Sequence, residues 1–203
     1  MATIKQRVYR FSALAAVVGV VLSPVAASAV TANTTVTAVV SAAITVTSAT
    51  GTVTLNVTPT SGGSLTTSSD VVTVTTNDAN GYTLSIQDSD ANTNLVSGAN
   101  NIPASAGTFA APTTSDLVAD TWGYRVDGVG SFGAGPTTAV TDQTTSSLKW
   151  AGVPANGAAN QIKNTSGPAV AGEATTFWYG VKATTAKPSG SYADIVVYTA
   201  IAK

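Results

Sequence analysis

The feature that most restricts the fold is a side-chain period of two that returns along nearly the whole chain after residue 30. Val36, Ala38, Val40, Ala42, Ile44 and Val46 fall on one face, and Thr35, Thr37, Ser41, Thr45 and Thr47 fall mostly on the other. Successive side chains of a strand point to opposite faces, so this pattern predicts a long, half-buried strand over residues 30–47, or two with a bend. Thr and Val, both branched at Cβ, favour the pleated backbone over the helix. The same alternation recurs in Val53, Leu55 and Val57, in Val72 and Val74, and in Tyr82, Leu84 and Ile86. Asn77 to Gly81 reads as a turn, because Asn and Gly tolerate positive φ, and predicts a hairpin joining residues 71–76 to 82–87. Trp122, Tyr124 and Val126 alternate against Gly123, Arg125 and Asp127, and Phe177, Tyr179, Val181 and Ala183 repeat the pattern near the end. Lys187 to Gly190 turns the chain into a terminal strand over residues 192–201. Residues 98–112 read as loop with room for one short strand, and 128–147 and 151–172, rich in Gly, Ala, Asn and Pro, as connections around a short apolar piece at Leu148 to Val153. After the first thirty residues no stretch has a 3.6-residue apolar period. The expected fold is all-β, an antiparallel β-sandwich of about 8–10 strands with long Gly/Ala/Asn-rich loops.

Residues 1–29 read as a secretory signal peptide. Lys5, Arg7 and Arg10 precede a short apolar run from Phe11 to Leu22, and Ala27-Ser28-Ala29 offers the small residues that a signal peptidase requires. That run is well short of the ~20 residues a spanning helix needs. The expected mature chain is residues 30–203, one domain, secreted or at the cell surface, with no membrane contact after cleavage. Its six basic residues, Arg125, Lys149, Lys163, Lys182, Lys187 and Lys203, face ten acidic ones, a net charge of −4. So few scattered cations cannot neutralise a phosphate backbone, so nucleic acid is not an expected partner. With no cysteine, neither disulfides nor a lipidated anchor is available, and stability must come from burial.

Missing residue types exclude whole classes of chemistry. Without histidine or cysteine the chain cannot build Ser-His-Asp or Cys-His catalysis, or a His- or Cys-ligated zinc site. The nine Asp and the single Glu173 lie in no recognisable acid–base motif, and Asp88, Asp90, Asp116 and Asp127 sit beside Ser, Asn or Gly as turn residues do. No catalytic residue, cofactor or firm metal site is expected. Asp88, Asp90, Asn92 and Asn94 place oxygens at alternate positions, as in a calcium loop, but Thr93 stands where such a loop needs glycine and Ala99 where it needs a bidentate glutamate. A solvated hairpin tip is the plainer account. Trp122, Trp150 and Trp178 are the candidate ligand or subunit contacts. If Phe177 and Tyr179 face inward, Trp178 faces the other way and is either exposed or capped by a loop. A long alternating strand at a free N-terminus can add to an unpaired sheet edge of another copy, or pair within its own chain. The donor face would then be Val36, Ala38, Val40, Ala42, Ile44 and Val46.

The run Tyr179-Gly180-Val181, with Pro188-Ser189-Gly190-Ser191-Tyr192-Ala193-Asp194 before the last strand, resembles the C-terminal part of spore-coat-U-type pilins. Asp120-Thr121-Trp122-Gly123-Tyr124 is more weakly similar to the Trp motifs of WxL-type wall-binding modules. The pilins' cysteine pair is missing, and Val197-Tyr198-Thr199 stands where the wall modules close on Trp-x-Leu. The pilin resemblance implies an exported surface sandwich assembled by strand exchange, with residues 31–47 as donor. Together these features lead to the expectation of a non-enzymatic structural or assembly subunit, with self as partner. The alternative expectation is a module that binds cell-wall glycan or another carbohydrate through exposed aromatics.

Overall fold

A computed structural model describes residues 29–203; the expected signal peptide lies almost wholly outside the described residues. The chain divides into two units, Met1–Val39 and Val40–Lys203. Within the first, residues 29–39 are exposed and belong to no strand. The second is all-β, and its nine strands fall within the expected range. They are β1 (Ile44–Ser48), β2 (Ser64–Thr76), β3 (Tyr82–Asp88), β4 (Leu95–Ser97), β5 (Asn100–Ile102), β6 (Thr121–Val126), β7 (Asn160–Asn164), β8 (Ala169–Ala183) and β9 (Val196–Ala202). All pair antiparallel, in a four-stranded sheet β1-β2-β8-β6, a three-stranded sheet β7-β3-β9 and the small β4-β5 ribbon.

The period of two places the core. Val72 and Val74 of β2, Tyr124 and Val126 of β6, and Phe177, Tyr179 and Val181 of β8 share one buried cluster with Tyr82, Leu84 and Ile86 of β3. That cluster fills the space between the two larger sheets, with Val196, Tyr198 and Ala200 of β9 partly buried against it.

Two local expectations are corrected. The Asn77–Gly81 turn forms, with Gly81 at φ 88° and Asp78 receiving the Asn80 N–H, but it does not close a hairpin. Strand β2 pairs with β1 and β8, whereas β3 pairs with β7 and β9, so the turn carries the chain from one sheet to the facing one. Both strands bury an alternating apolar face, and facing sheets satisfy both faces at once, which a flat hairpin cannot do. The expected 30–47 strand is also shortened to Ile44–Ser48. Ile44 pairs with Thr76, the last residue of β2, and the backbone that could continue the ladder turns away there. Side chains reach a little further: Thr76 Oγ1 donates to Ala43 O at 2.8 Å, Asn77 Oδ1 accepts from Ala43 N at 2.7 Å and Asn77 Nδ2 donates to Ser41 O at 3.2 Å.

Val53, Leu55 and Val57 alternate inward toward the core as expected, yet their segment joins no ladder. Strands β7 and the first half of β8 arise within or beside a stretch that reads as loop, because Asn160–Asn164 offers one large apolar residue and residues 169–176 offer one. The outer face of the four-stranded sheet is covered too. Gly123 and Gly180 pair across β6 and β8, and the Trp150 ring lies where a Gly180 side chain would stand, 2.6 Å from an added Cβ. Trp150, Leu65 and Leu117 form a second buried cluster with Leu148 against it.

Candidate functional site

The described residues offer three regions where function could reside: the N-terminal stretch with the sheet edges, the aromatics, and the aspartates at one end of the β3–β9 ladder. The first has the largest exposed apolar side chains. Val30, Val36, Val39 and Val40 are 83–93% exposed, and residues 29–42 are exposed throughout. Among the described residues the outer edge of β9 has no strand partner, and Ile195 and Ile201 beside it are 66% and 60% exposed. Strand β1, the other edge on that flank, is held to its own sheet by more than its ladder. Buried Asp70 accepts from Ser48 Oγ at 2.6 Å and from Thr50 N at 3.1 Å, closing the far end of β1. Of the six candidate donor-face residues, Val36, Ala38, Val40 and Ala42 therefore lie in unpaired chain, whereas Ile44 and Val46 are in β1 and paired with β2.

The three candidate tryptophans are all covered, Trp178 in the capped alternative of the two that alternation allows. Trp122 is 3% exposed, Trp150 is fully buried and Trp178 is 6% exposed, so none presents a ring to solvent. Trp122 belongs to the inter-sheet core and donates its Nε1 hydrogen to Thr93 O at 3.0 Å, tying the β3–β4 connection to β6. Trp178 does leave the core face, as alternation requires, but it is covered; so is its cross-strand neighbour Arg125. Arg125 is fully buried and donates to the carbonyls of Phe132, Gly133, Ala134 and Lys149. Burial pulls its pKa down, and Asp127 partly restores it. One guanidinium, at the position cross-strand from Trp178, thus ties the carbonyls of residues 132–134 and Lys149 together. A cleft of about 340 Å³ near Thr93 is lined by Asn94, Ser105, Thr108 and Asn160 among others, with no charged or aromatic side chain.

The aspartates converge at the end of the β3–β9 ladder. Asp88 is fully buried and pairs in register with Val196; Ser89 N donates to Ile195 O at 2.9 Å, so the pairing continues toward Asp194. Burial, then contact with the Asp88 carboxylate, pushes the Asp194 carboxyl up to about 7, against the lowering effect of the Ile195 N–H. The calcium-like loop itself is a series of Asx turns. Asp88 Oδ1 accepts from Asp90 N, Asp90 Oδ1 from Asn92 N, and Asn92 Oδ1 from Asn94 N. Each of those oxygens is turned toward the backbone instead of toward a shared centre.

Elsewhere, Lys182 and Asp116 form a largely buried ion pair at 2.5 Å, and Glu173 joins Lys163 and the Tyr82 hydroxyl, each at 2.8 Å. Sequence reading missed both clusters, since their members lie far apart in the chain. Among the described residues no three of His, Cys, Asp and Glu gather closely enough to hold a metal between them, and no helix is long and apolar enough to cross a membrane. No protein-family model, no curated protein and no solved structure matches the chain.

Proposed function

We propose that this is an exported, non-enzymatic structural subunit of a cell surface, and that copies associate when residues 30–43 of one add as a strand to the β9 edge of another. The observation that carries this reading is the exposed alternating segment, which places four valines in water and runs directly into β1. Chains seldom combine an exposed β-prone apolar segment with a strand edge that lacks a ladder partner, because each is a template for pairing. The chemistry of the two matches: main-chain groups supply the bonds, and Val36, Ala38, Val40 and Ala42 on one face would meet the flank where Ile195 and Ile201 are exposed. The leader motif and the pilin resemblance support export and the surface location. Binding of glycan through the tryptophans finds less support, because all three rings are buried.

Residues 30–203, purified and followed by light scattering and electron microscopy, test the reading. Concentration-dependent growth or filaments are expected, and deletion of residues 30–42 should leave a folded monomer. A wild-type chain that stays monomeric at high concentration would overturn it. Ile201→Lys, on the acceptor edge, should block growth without unfolding the subunit.

A further inference from the structure

We propose that Asp88 and Asp194 hold a hard divalent cation of the calcium type at the end of the β3–β9 ladder. Each carboxylate has one oxygen already used by the backbone: Asp88 Oδ1 accepts from Asp90 N at 3.0 Å, and Asp194 Oδ1 accepts from Ile195 N at 2.8 Å. The other oxygen of each, Oδ2, is buried and has no hydrogen-bond partner. Asp88 is itself fully buried, so its free oxygen cannot turn to water. The register explains why the two meet: Asp88 opposes Val196, and Asp194 lies two residues before Val196 on the same strand face, the diagonal neighbour across an antiparallel pair.

Among the described residues no cationic side chain pairs with these two carboxyl groups, which otherwise share at most a proton. The ion pairs among the described residues are Lys163–Glu173 and Lys182–Asp116, neither at this ladder end, and Asp90 adds a third negative charge nearby. Buried like charges with two unsatisfied oxygens are strongly unfavourable unless something positive sits between them. The donor set selects the ion. Two carboxylates with neutral oxygens and water suit calcium, which takes 6–8 oxygen ligands, whereas a chain without His or Cys offers nothing to a soft metal. The seat lies at the base of the Asp88–Asn94 loop and not in the loop itself, and a residue more than a hundred positions away completes it. The inference does not depend on the assembly reading.

The test is thermal unfolding of residues 30–203 at pH 7.5, first in chelator and then in about 2 mM calcium chloride, above the 10⁻⁴–10⁻³ M range of extracellular calcium modules. Calcium should raise the midpoint by several degrees in a saturable way. Asp194→Asn, at the less buried of the two positions, should fold in chelator and lose the calcium response. No calcium effect on the wild type, by melting or by titration calorimetry, would overturn the proposal. An undiminished effect in Asp194→Asn would also overturn it, by placing the ion elsewhere. A midpoint that ignores calcium but follows pH between about 4 and 7 would overturn it as well, assigning a shared proton to the pair.

Discussion

Residues 36–42 and Ile44–Ser48 carry the same alternation of small apolar and hydroxyl side chains, yet the second is a strand and the first is exposed chain. Propensity cannot separate them. The difference is a partner backbone: β2 offers Val72 to Thr76 to β1 and then turns at Asn77, so the ladder stops at Ile44. Val53, Leu55 and Val57 form an intermediate case, with side chains on the core but no ladder. A strand thus needs both a buried face and a neighbour, and an alternating segment that lacks them is free to find them on another molecule.

The largest expected effect comes from making β1 resemble the segment before it. Asp70→Ala removes the acceptor for Ser48 and Thr50 and leaves their donors unpaired, which should cost about 3 kcal/mol in urea unfolding. If stability is unchanged, the closure of β1 is not what distinguishes it. Trimming the junction is milder. Asn77→Ala deletes the two side-chain bonds to Ala43 and Ser41 and should cost about 1 kcal/mol, with faster amide exchange at Ala43. On the exposed side, Val36→Asp should change monomer stability by no more than ~0.5 kcal/mol while abolishing association. A measurable loss of monomer stability would show that residues 36–42 pair within their own chain.

At the end of the β3–β9 ladder two carboxyl groups meet, and pH should distinguish this corner from the junction at Asn77. The Asp194 carboxyl, ordinarily near 3.8, is pushed up to about 7 in the folded protein. Between those values the folded state keeps a proton that the unfolded chain has released. In chelator, stability should therefore fall as pH rises from about 4 to 7 and level off above, and Asp194→Asn should flatten that slope. A chelated wild type whose stability rises over the same range would contradict the contact between Asp88 and Asp194.

Much of the sandwich can be read from local pattern. The alternations at Val72–Val74, Tyr82–Ile86, Trp122–Val126 and Phe177–Val181 each became a core strand with the expected residues inward. The candidate sites were less legible. Trp178 does point away from the core yet is covered, and neither the carbonyls that Arg125 gathers nor the glycine pair that seats Trp150 has a sequence period. The meeting of Asp88 with Asp194 depends on which strand neighbours β3, and β9 comes to it from the far end of the chain.

Local pattern reveals which residues favour a strand, which face of most core strands is buried and that His and Cys chemistry is out of reach, because period, branching at Cβ and residue inventory are properties of neighbours and of composition. That the Asn77–Gly81 turn crosses between sheets, that three tryptophans are covered, that an alternating segment ends unpaired and that two aspartates share a buried corner emerges from long-range packing. Each of those outcomes depends on partners far away in sequence, and pairing is set by how two sheets close over one core, a constraint that no local window contains.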